Sequence, residues 1–201
     1  QPPETAKPAI KKYLEVIQQQ VLNYTGLLSD MLTIGKIESG KVAFNPQWVD
    51  VLALCQQIIA SHFNHQPDGR IVRVSLVGTS SRAYLDEKLM SHVLVNLLSN
   101  AFKFSKANPG LVIRFEKQTL VIEVTDEGIG IPAAELSSLF QTFFRASNTA
   151  SIQGTGLGLV IARQFVELHG GILTVESQET AGSTFTILLP IEPTSHSIPP
   201  A

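Results

Sequence analysis

The chain has 201 residues, 44% of them hydrophobic, with 15 basic against 17 acidic side chains and a formal net charge of -2. That is enough for one buried core with residues left over for a second element, and the even spread of charge, with no basic run or basic-aromatic patch, argues against nucleic acid or an anionic membrane as the main partner. No apolar run approaches the roughly 20 residues of a membrane span, the start QPPETAKP lacks a signal-peptide layout, and Cys55 has no partner for an intrachain disulfide, so a reducing, cytoplasmic setting is expected, with any membrane anchor of a parent protein lying upstream.

After a proline-bearing start, Ile10, Leu14, Ile17, Val21, Tyr24, Leu28 and Met31 alternate spacings of four and three, the seam of a coiled coil or bundle over residues 10–38. Leu27, Leu32, Ile34 and Ile37 widen the apolar face beyond what two strands need, which favours a four-helix bundle, and Gly40 stands where a helix ends in a left-handed residue. Residues 42–44 read as a short strand closed by Pro46. Asp50 then caps a helix to about Phe63 with Leu52, Cys55, Ile58 and Ile59 as its inner face. Asp68-Gly69 turns into a strand-like run, 71–76. Asp86 is the expected N-cap of a long helix that contains residues 91–105, SHVLVNLLSNAFKFS. Residues 112–116 and 120–125 read as a hairpin, 157–168 as a helix entered from a glycine loop and stopped by His169-Gly170-Gly171, and 172–176 with 184–189 as a last pair of strands. The proline- and serine-rich 192–201 reads as a linker or tail. The sum is an α+β arrangement, a mixed sheet with three larger helices on one face, preceded by one bundle helix.

Three stretches carry chemistry. On the helix 91–105, Val93, Leu94, Leu97, Leu98, Ala101 and Phe104 recur at helical spacing while Asn96, Asn100 and Lys103 fall together on another face. Buried amides need partners, so this row faces a ligand, or more blandly caps loops while the lysine reaches solvent. TDEGIGIP puts Asp126 at a strand end, followed by Gly128 and Gly130, and GTGLGL, residues 154–159, opens a helix whose N–H groups and dipole suit phosphate. It is neither a P-loop, since no Lys-Ser or Lys-Thr follows, nor a dinucleotide fingerprint, since no strand of a βαβ unit precedes it. Gly182-Ser183-Thr184-Phe185 is a third glycine turn.

Taken in order, NLLSNAFKFS, DEGIG, LFQTFFR, GTGLGL and GSTF resemble the N, G1, F, G2 and G3 boxes of sensor histidine kinases of two-component systems, and LLSDMLTIGKIESGK resembles the second helix of that family's dimerisation and phosphotransfer hairpin. The resemblance implies a two-layer α/β sandwich of the Bergerat type, shared with type II topoisomerases and mismatch-repair ATPases. It divides the chain into a partial dimerisation and phosphotransfer segment (1–41), a catalytic ATP-binding domain (42–191) and a flexible tail (192–201). It implies ATP and Mg2+ as ligands: Asn100 would ligate the metal, Asn96 would support the phosphates or the ion's water shell, Lys103 would meet a phosphate, and Phe104 would line the base or ribose. Asp126 would accept from the adenine amino group, Gly128 and Gly130 would let backbone pass close to the base, Gly154, Thr155, Gly156, Leu157 and Gly158 would wrap the phosphates, and Thr184 would join from the third glycine box. Phe140, Phe143, Phe144 and Arg145 match the F box. Phe140 is equally a core residue, whereas Arg145 would pair with the γ-phosphate, making Asn96, Lys103 and Arg145 the catalytic set. Residues 146–153 would form a lid that orders around nucleotide.

The ATP-hydrolysing relatives typically place a glutamate base four residues before the metal-binding asparagine. Here that position is Asn96, which takes no proton at neutral pH, so transfer to an external acceptor is favoured over hydrolysis. The alternative is an ATP-gated conformational or dimerisation module, or a degenerate scaffold. The family's acceptor histidine is typically followed by Glu or Asp, and none of the five histidines, His62, His65, His92, His169 and His196, fits. His92 is expected beside the site in a supporting role, and His169 as a helix-end cap. The acceptor helix is therefore expected elsewhere in a longer parent kinase, with a receiver domain of a response regulator and a second copy as the parent's partners, and this stretch by itself is not expected to autophosphorylate.

Overall fold

The computed structural model describes residues 6–79, 82–150 and 152–192, and the chain divides into two compact units, 1–42 and 43–201. The heptad pattern of the first unit folds as one helix, α1 (Ala6–Glu38). A helix standing alone cannot cover its own apolar stripe, and Ile10, Leu14, Ile17, Val21, Tyr24 and Leu28 are exposed by 50% to 66%. Gly40, at φ 64°, closes α1 as expected, with its N–H on the Ile37 carbonyl (3.0 Å) and the Lys41 N–H on the Lys36 carbonyl (2.8 Å).

In the second unit the strand expected at 42–44 does not form. The strand β1 (Gln47–Asp50) begins only after Pro46 and pairs antiparallel with β3 (Arg82–Leu85). Proline has no N–H for a ladder but is tolerated where a strand begins, and the residues before it are committed elsewhere, Asn45 through its N–H to Asp86 and Phe44 through its ring to His169. Asp50 caps α2 (Val51–His62), its Oδ1 accepting the Ala53 N–H at 3.0 Å. The buried stripe of α2 is Val51, Leu54, Cys55 and Ile58, while Leu52 and Ile59, expected inside, are half-buried. Burial pushes the Cys55 thiol up to about 12, which leaves it an inert core residue.

The main sheet runs β2 (Arg73–Val77), β4 (Gly110–Glu116), β5 (Thr119–Asp126), β7 (Gly182–Pro190), β6 (Ile172–Gln178). Only β2–β4 is parallel, so the sheet is mixed. One face is apolar, carrying Leu111, Ile113, Leu120, Ile122, Val124, Phe185, Ile187 and Leu189, all buried. Against it pack α3 (Glu87–Phe104) and α4 (Gly158–Leu168), with α2 alongside α3. The other face is polar: Arg114 grips Glu123 with two bonds (2.9 and 2.6 Å), and the Thr125 and Thr184 hydroxyls meet at 3.3 Å. This is the period-2 alternation of a sheet covered on one side. α3 is the centre of the core: Met90, Val93, Leu94 and Leu97 are fully buried.

The start of α3 is held by more than its cap. Asp86 Oδ1 accepts the N–H groups of Lys88 (3.0 Å) and Leu89 (3.1 Å), its Oδ2 accepts that of Asn45 (2.7 Å), and its own N–H donates to Nε2 of His169 (2.9 Å). His169, expected to do no more than end α4, bridges α4 to α3: Nδ1 donates to the Phe165 carbonyl (2.6 Å) and the Phe44 ring packs edge-on at 5.0 Å. This geometry assigns the neutral tautomer with the proton on Nδ1. Burial, the largest effect, holds its pKa below the ordinary histidine value. We expect His169→Ala to cost about 2 kcal/mol, because it strands a buried N–H and a buried carbonyl. Since the folded pKa is lowered, the His169 contribution is complete above about pH 6.5 and is lost as pH falls through the folded value. Urea titrations should therefore show wild type losing more stability than the variant between pH 7 and 5, and parallel curves would contradict the bridge.

Candidate functional site

Residues i, i+4 and i+7 of a helix share an edge, and Asn96, Asn100 and Lys103 line the one edge of α3 that the core does not take. Asn100 Nδ2 donates to Asn96 Oδ1 (3.2 Å). Opposite them runs the glycine turn that opens α4. A Cβ on Gly158 would run into the Asn96 amide, and one on Gly154 would lie 2.7 Å from Lys103 Nζ, so these glycines are what lets the turn lie on the polar row. α4 starts with no side-chain cap from Leu157, and Thr155 Oγ1 accepts the Leu157 N–H (3.2 Å). Open N–H groups and the positive end of the dipole thus stand beside Lys103, which is an anion site. The side chain of Leu157 is fully buried, so only its backbone remains available to the loop's ligand.

The ammonium of Lys103 sits 4.8 Å from the centroid of the Phe104 ring, which therefore supports the lysine. Desolvation first, and the Arg145 charge second, hold the Lys103 pKa below its usual value. Neither cation belongs to any ion pair among the described residues. Two cations near enough to interact, with no ion-pair partner among the described residues, favour an anion nearby. Asn100, having committed its amide nitrogen to Asn96, keeps its oxygen as a hard donor. Among the described residues no group of three or more His, Cys, Asp or Glu is placed to hold a metal.

Asp126 ends β5 on the apolar side of the sheet and is 7% exposed. Its Oδ1 accepts the Gly128 N–H at 2.8 Å. Burial outweighs that bond and the nearby Ser183 backbone amide, and pushes the carboxyl up to about 6. The glycines after it serve the chain's own packing. A Cβ on Gly128 would meet the Phe104 carbonyl and Asp126 Oδ1, one on Gly130 (φ 63°) would meet the Gln178 carbonyl, and the Ile129 N–H donates to Phe104 O (3.2 Å). The register separates the two residues of the third glycine turn. Asp126 pairs with Ser183 and Thr125 with Thr184, so strand alternation puts Ser183 on the Asp126 face and Thr184 on the opposite face. Ser183 is thus the residue of that turn beside Asp126. Its hydroxyl lies 2.9 Å from that of Ser177.

The F-box segment leans on the same turn. Phe143 adopts φ 65°, donates its N–H to the Gly156 carbonyl (3.2 Å) and leaves its ring 56% exposed. Phe140 is half-buried beneath the Arg163 guanidinium, 5.2 Å away. Arg145 donates to the carbonyls of Thr149 (2.8 Å) and Ile152. The expected lid is pinned at its start, where the Ser147 N–H donates to Glu135 (3.0 Å) and Asn148 Nδ2 to the Gly130 carbonyl (2.9 Å). Sequence reasoning gave no role to Asn148, whose Oδ1 is buried without a partner. His92 lies one turn before Asn96, its ring edge-on to Phe165 at 5.5 Å, and His62 and His65 are exposed.

Residues 85–193 match the family model described as histidine kinase-, DNA gyrase B-, and HSP90-like ATPase. Among curated proteins, the circadian input-output histidine kinase CikA of Synechococcus elongatus is 33% identical over 187 residues, covering 90% of this chain and 25% of its own. Sensor histidine kinase WalK of Bacillus subtilis is 31% identical over 191 residues, covering 92% and 31%. The chain thus spans about a quarter to a third of the length of these relatives. Among solved structures, full-length ShkA in complex with AMPPNP superposes with a TM-score of 0.76 at 19% identity, over 94% of this chain and 40% of that one, and so shares the fold. The chain belongs to the histidine kinase-, DNA gyrase B- and HSP90-like ATPases, and within them carries the ATP-binding domain of a sensor histidine kinase.

Proposed function

We propose that this chain holds Mg2+-ATP between the polar edge of α3 and the 154–158 turn, and passes the γ-phosphoryl group to a histidine on a separate hairpin helix of the parent kinase, for relay to an aspartate of a response-regulator receiver domain. The observation that carries the reading is the Asn96-Asn100-Lys103 row lying against the glycines at the entrance of α4, with Arg145 close enough to bear on Lys103. The complex of ShkA with AMPPNP supports a nucleotide at this fold.

In this reading Asp126 accepts the adenine amino group, which guanine cannot supply. Lys103 and the first N–H groups of α4 take the phosphates. Arg145 leaves the carbonyls of Thr149 and Ile152 to reach the γ-phosphate, so its engagement and a rearrangement of the lid are one event. Mg2+ would be held by Asn100 Oδ1 and would neutralise phosphate charge. Asn96, in place of a carboxylate base, leaves water unactivated and reserves the γ-phosphate for an external acceptor. α1 contains no histidine, and it is read as the second helix of the dimerisation and phosphotransfer hairpin. Its exposed seam is the surface for the acceptor helix and for the second copy in the parent's dimer. Of the remaining histidines, His169 has both ring nitrogens engaged, and His196 lies outside the described residues. The setting we infer is the cytoplasmic side of the cell, where ATP is available.

Calorimetry with ATP, with and without Mg2+ and with GTP as control, should give Mg2+-assisted binding selective for ATP, and no binding of either nucleotide would overturn the proposal. Autophosphorylation of this chain alone should be absent, and a hairpin supplied in trans should become labelled. Steady ATP hydrolysis with no labelled protein would instead favour an ATP-gated module. Asn100→Asp should weaken or distort the metal-nucleotide site, and Asp126→Asn should lower ATP affinity by about tenfold, about 1.4 kcal/mol. Wild-type affinity in both variants would remove these residues from the site.

A pH dependence follows from Asp126. A carboxyl raised to about 6 contributes to the stability of the empty fold below the ordinary value of about 4, and loses that contribution as pH rises through 6. Nucleotide binding draws on the ionised form and has the opposite sign. ATP affinity should therefore tighten between about pH 5 and 7.5 in wild type and much less in Asp126→Asn, as calorimetry at the two pH values would read. Equal pH dependence in the two proteins would separate Asp126 from the base.

A further inference from the structure

The last turn of α3 carries Lys103 and ends in carbonyls that the helix itself cannot satisfy. Their partners can be followed one by one. The Ala101 carbonyl takes the Ser105 N–H (3.2 Å) and the Phe104 carbonyl takes the Ile129 N–H (3.2 Å). The carbonyls of Phe102 and Ser105 both go to one side chain from outside the helix: Arg70 Nη1 donates to the first at 2.8 Å and to the second at 2.6 Å. Arg70 leaves α2 behind in the turn before β2 and is itself aimed by Asp68, whose Oδ2 accepts from Nε (2.6 Å) and whose Oδ1 accepts the Arg70 N–H (3.1 Å). The guanidinium lies 5.0 Å from the centroid of the Phe102 ring, and Phe63 stacks on that ring with centroids 5.3 Å apart and planes 9° apart. The Arg70 side chain is only 18% exposed.

Residues 102 and 105 bracket Lys103 and Phe104. A single guanidinium nitrogen, Nη1, holding both bracketing carbonyls fixes the direction in which the lysine leaves the helix. It also fixes the Phe104 ring beneath the ammonium, and it places a positive charge at the negative end of the α3 dipole. Nothing in Arg70 points into the site. Its effect on a ligand has to pass through the turn it holds. We propose that Arg70 is a positioning residue for the nucleotide site: by bridging the Phe102 and Ser105 carbonyls it presets Lys103 against the 154–158 turn, so that the phosphates of ATP meet the ammonium without first ordering the end of α3. This rests on the reading of Lys103 as a phosphate ligand.

The test is a double-mutant cycle on ATP affinity in the full chain. Arg70→Met keeps an apolar stem over Phe102 and removes the donors, and Lys103→Met removes the proposed contact. Calorimetry is run well below both melting temperatures. Arg70→Met is expected to weaken ATP binding by about five- to tenfold in the wild-type background and by less than about twofold when Lys103 is already methionine. A merely structural role would lower the melting temperature but leave the loss equal in both backgrounds. An equal loss, or no loss in the wild-type background, overturns the proposal. If Arg70→Met does not fold, Asp68→Asn takes its place, since it leaves the guanidinium over Phe102 but removes the carboxylate charge that aims it, and a loss of the same non-additive kind is expected. Failure of the underlying reading is distinct, because in that case wild type binds no ATP or Lys103→Met alone binds as wild type does.

Discussion

Helix α3 can carry two amides and an ammonium past an apolar core only because the turn opposite them places glycines at the points of closest approach. Any Cβ on Gly158 would displace the Asn96 amide, and one on Gly154 would press on Lys103. The rest of the catalytic unit follows from that contact. α4 must begin there, with its N–H groups uncapped and turned toward the polar row. β5 and β7 must deliver Asp126 and Ser183 to the same side of the sheet. The F-box turn must bend through a left-handed Phe143 to reach Gly156. Buried polar groups are costly when unpaired, and here the cost is met by facing each of them into one cleft.

Lys103 and Asp126 are both held where their charged forms are disfavoured, by burial first in each case, with the Arg145 charge adding to the effect on Lys103. What surrounds them is the apolar scaffold of α3 and the sheet, in which Leu94, Leu97, Leu111, Ile122 and Ile187 are fully buried.

Much of this was legible in the chain itself. The α3 periodicity, its Asp86 cap, the closure of α1 at Gly40 and the strand pairs all rest on local rules, and local rules survive folding. What the chain does not show locally depends on partners distant in sequence. Thr184 and Ser183 are indistinguishable until the register with β5 decides which of them faces Asp126. The strand drawn at 42–44 ignored that Phe44 and Asn45 are claimed by His169 and Asp86, about 125 and 41 residues away. Leu157 sat in a ligand motif, yet the junction of turn and helix aims its side chain into the core. Arg70 and Asn148 carry no motif at all, and each is defined only by the carbonyls it reaches.

The passage between the two units is short. The end of α1 is closed through Lys41, whose N–H is held by the Lys36 carbonyl, and the second unit claims the chain again at Phe44 and Asn45. Between these clamps lie only Val42 and Ala43. Each residue contributes two soft backbone torsions, so a link of this length has few rotations of its own and little slack, and a glycine or an insertion at 42 or 43 changes that count more than the same change in any longer loop.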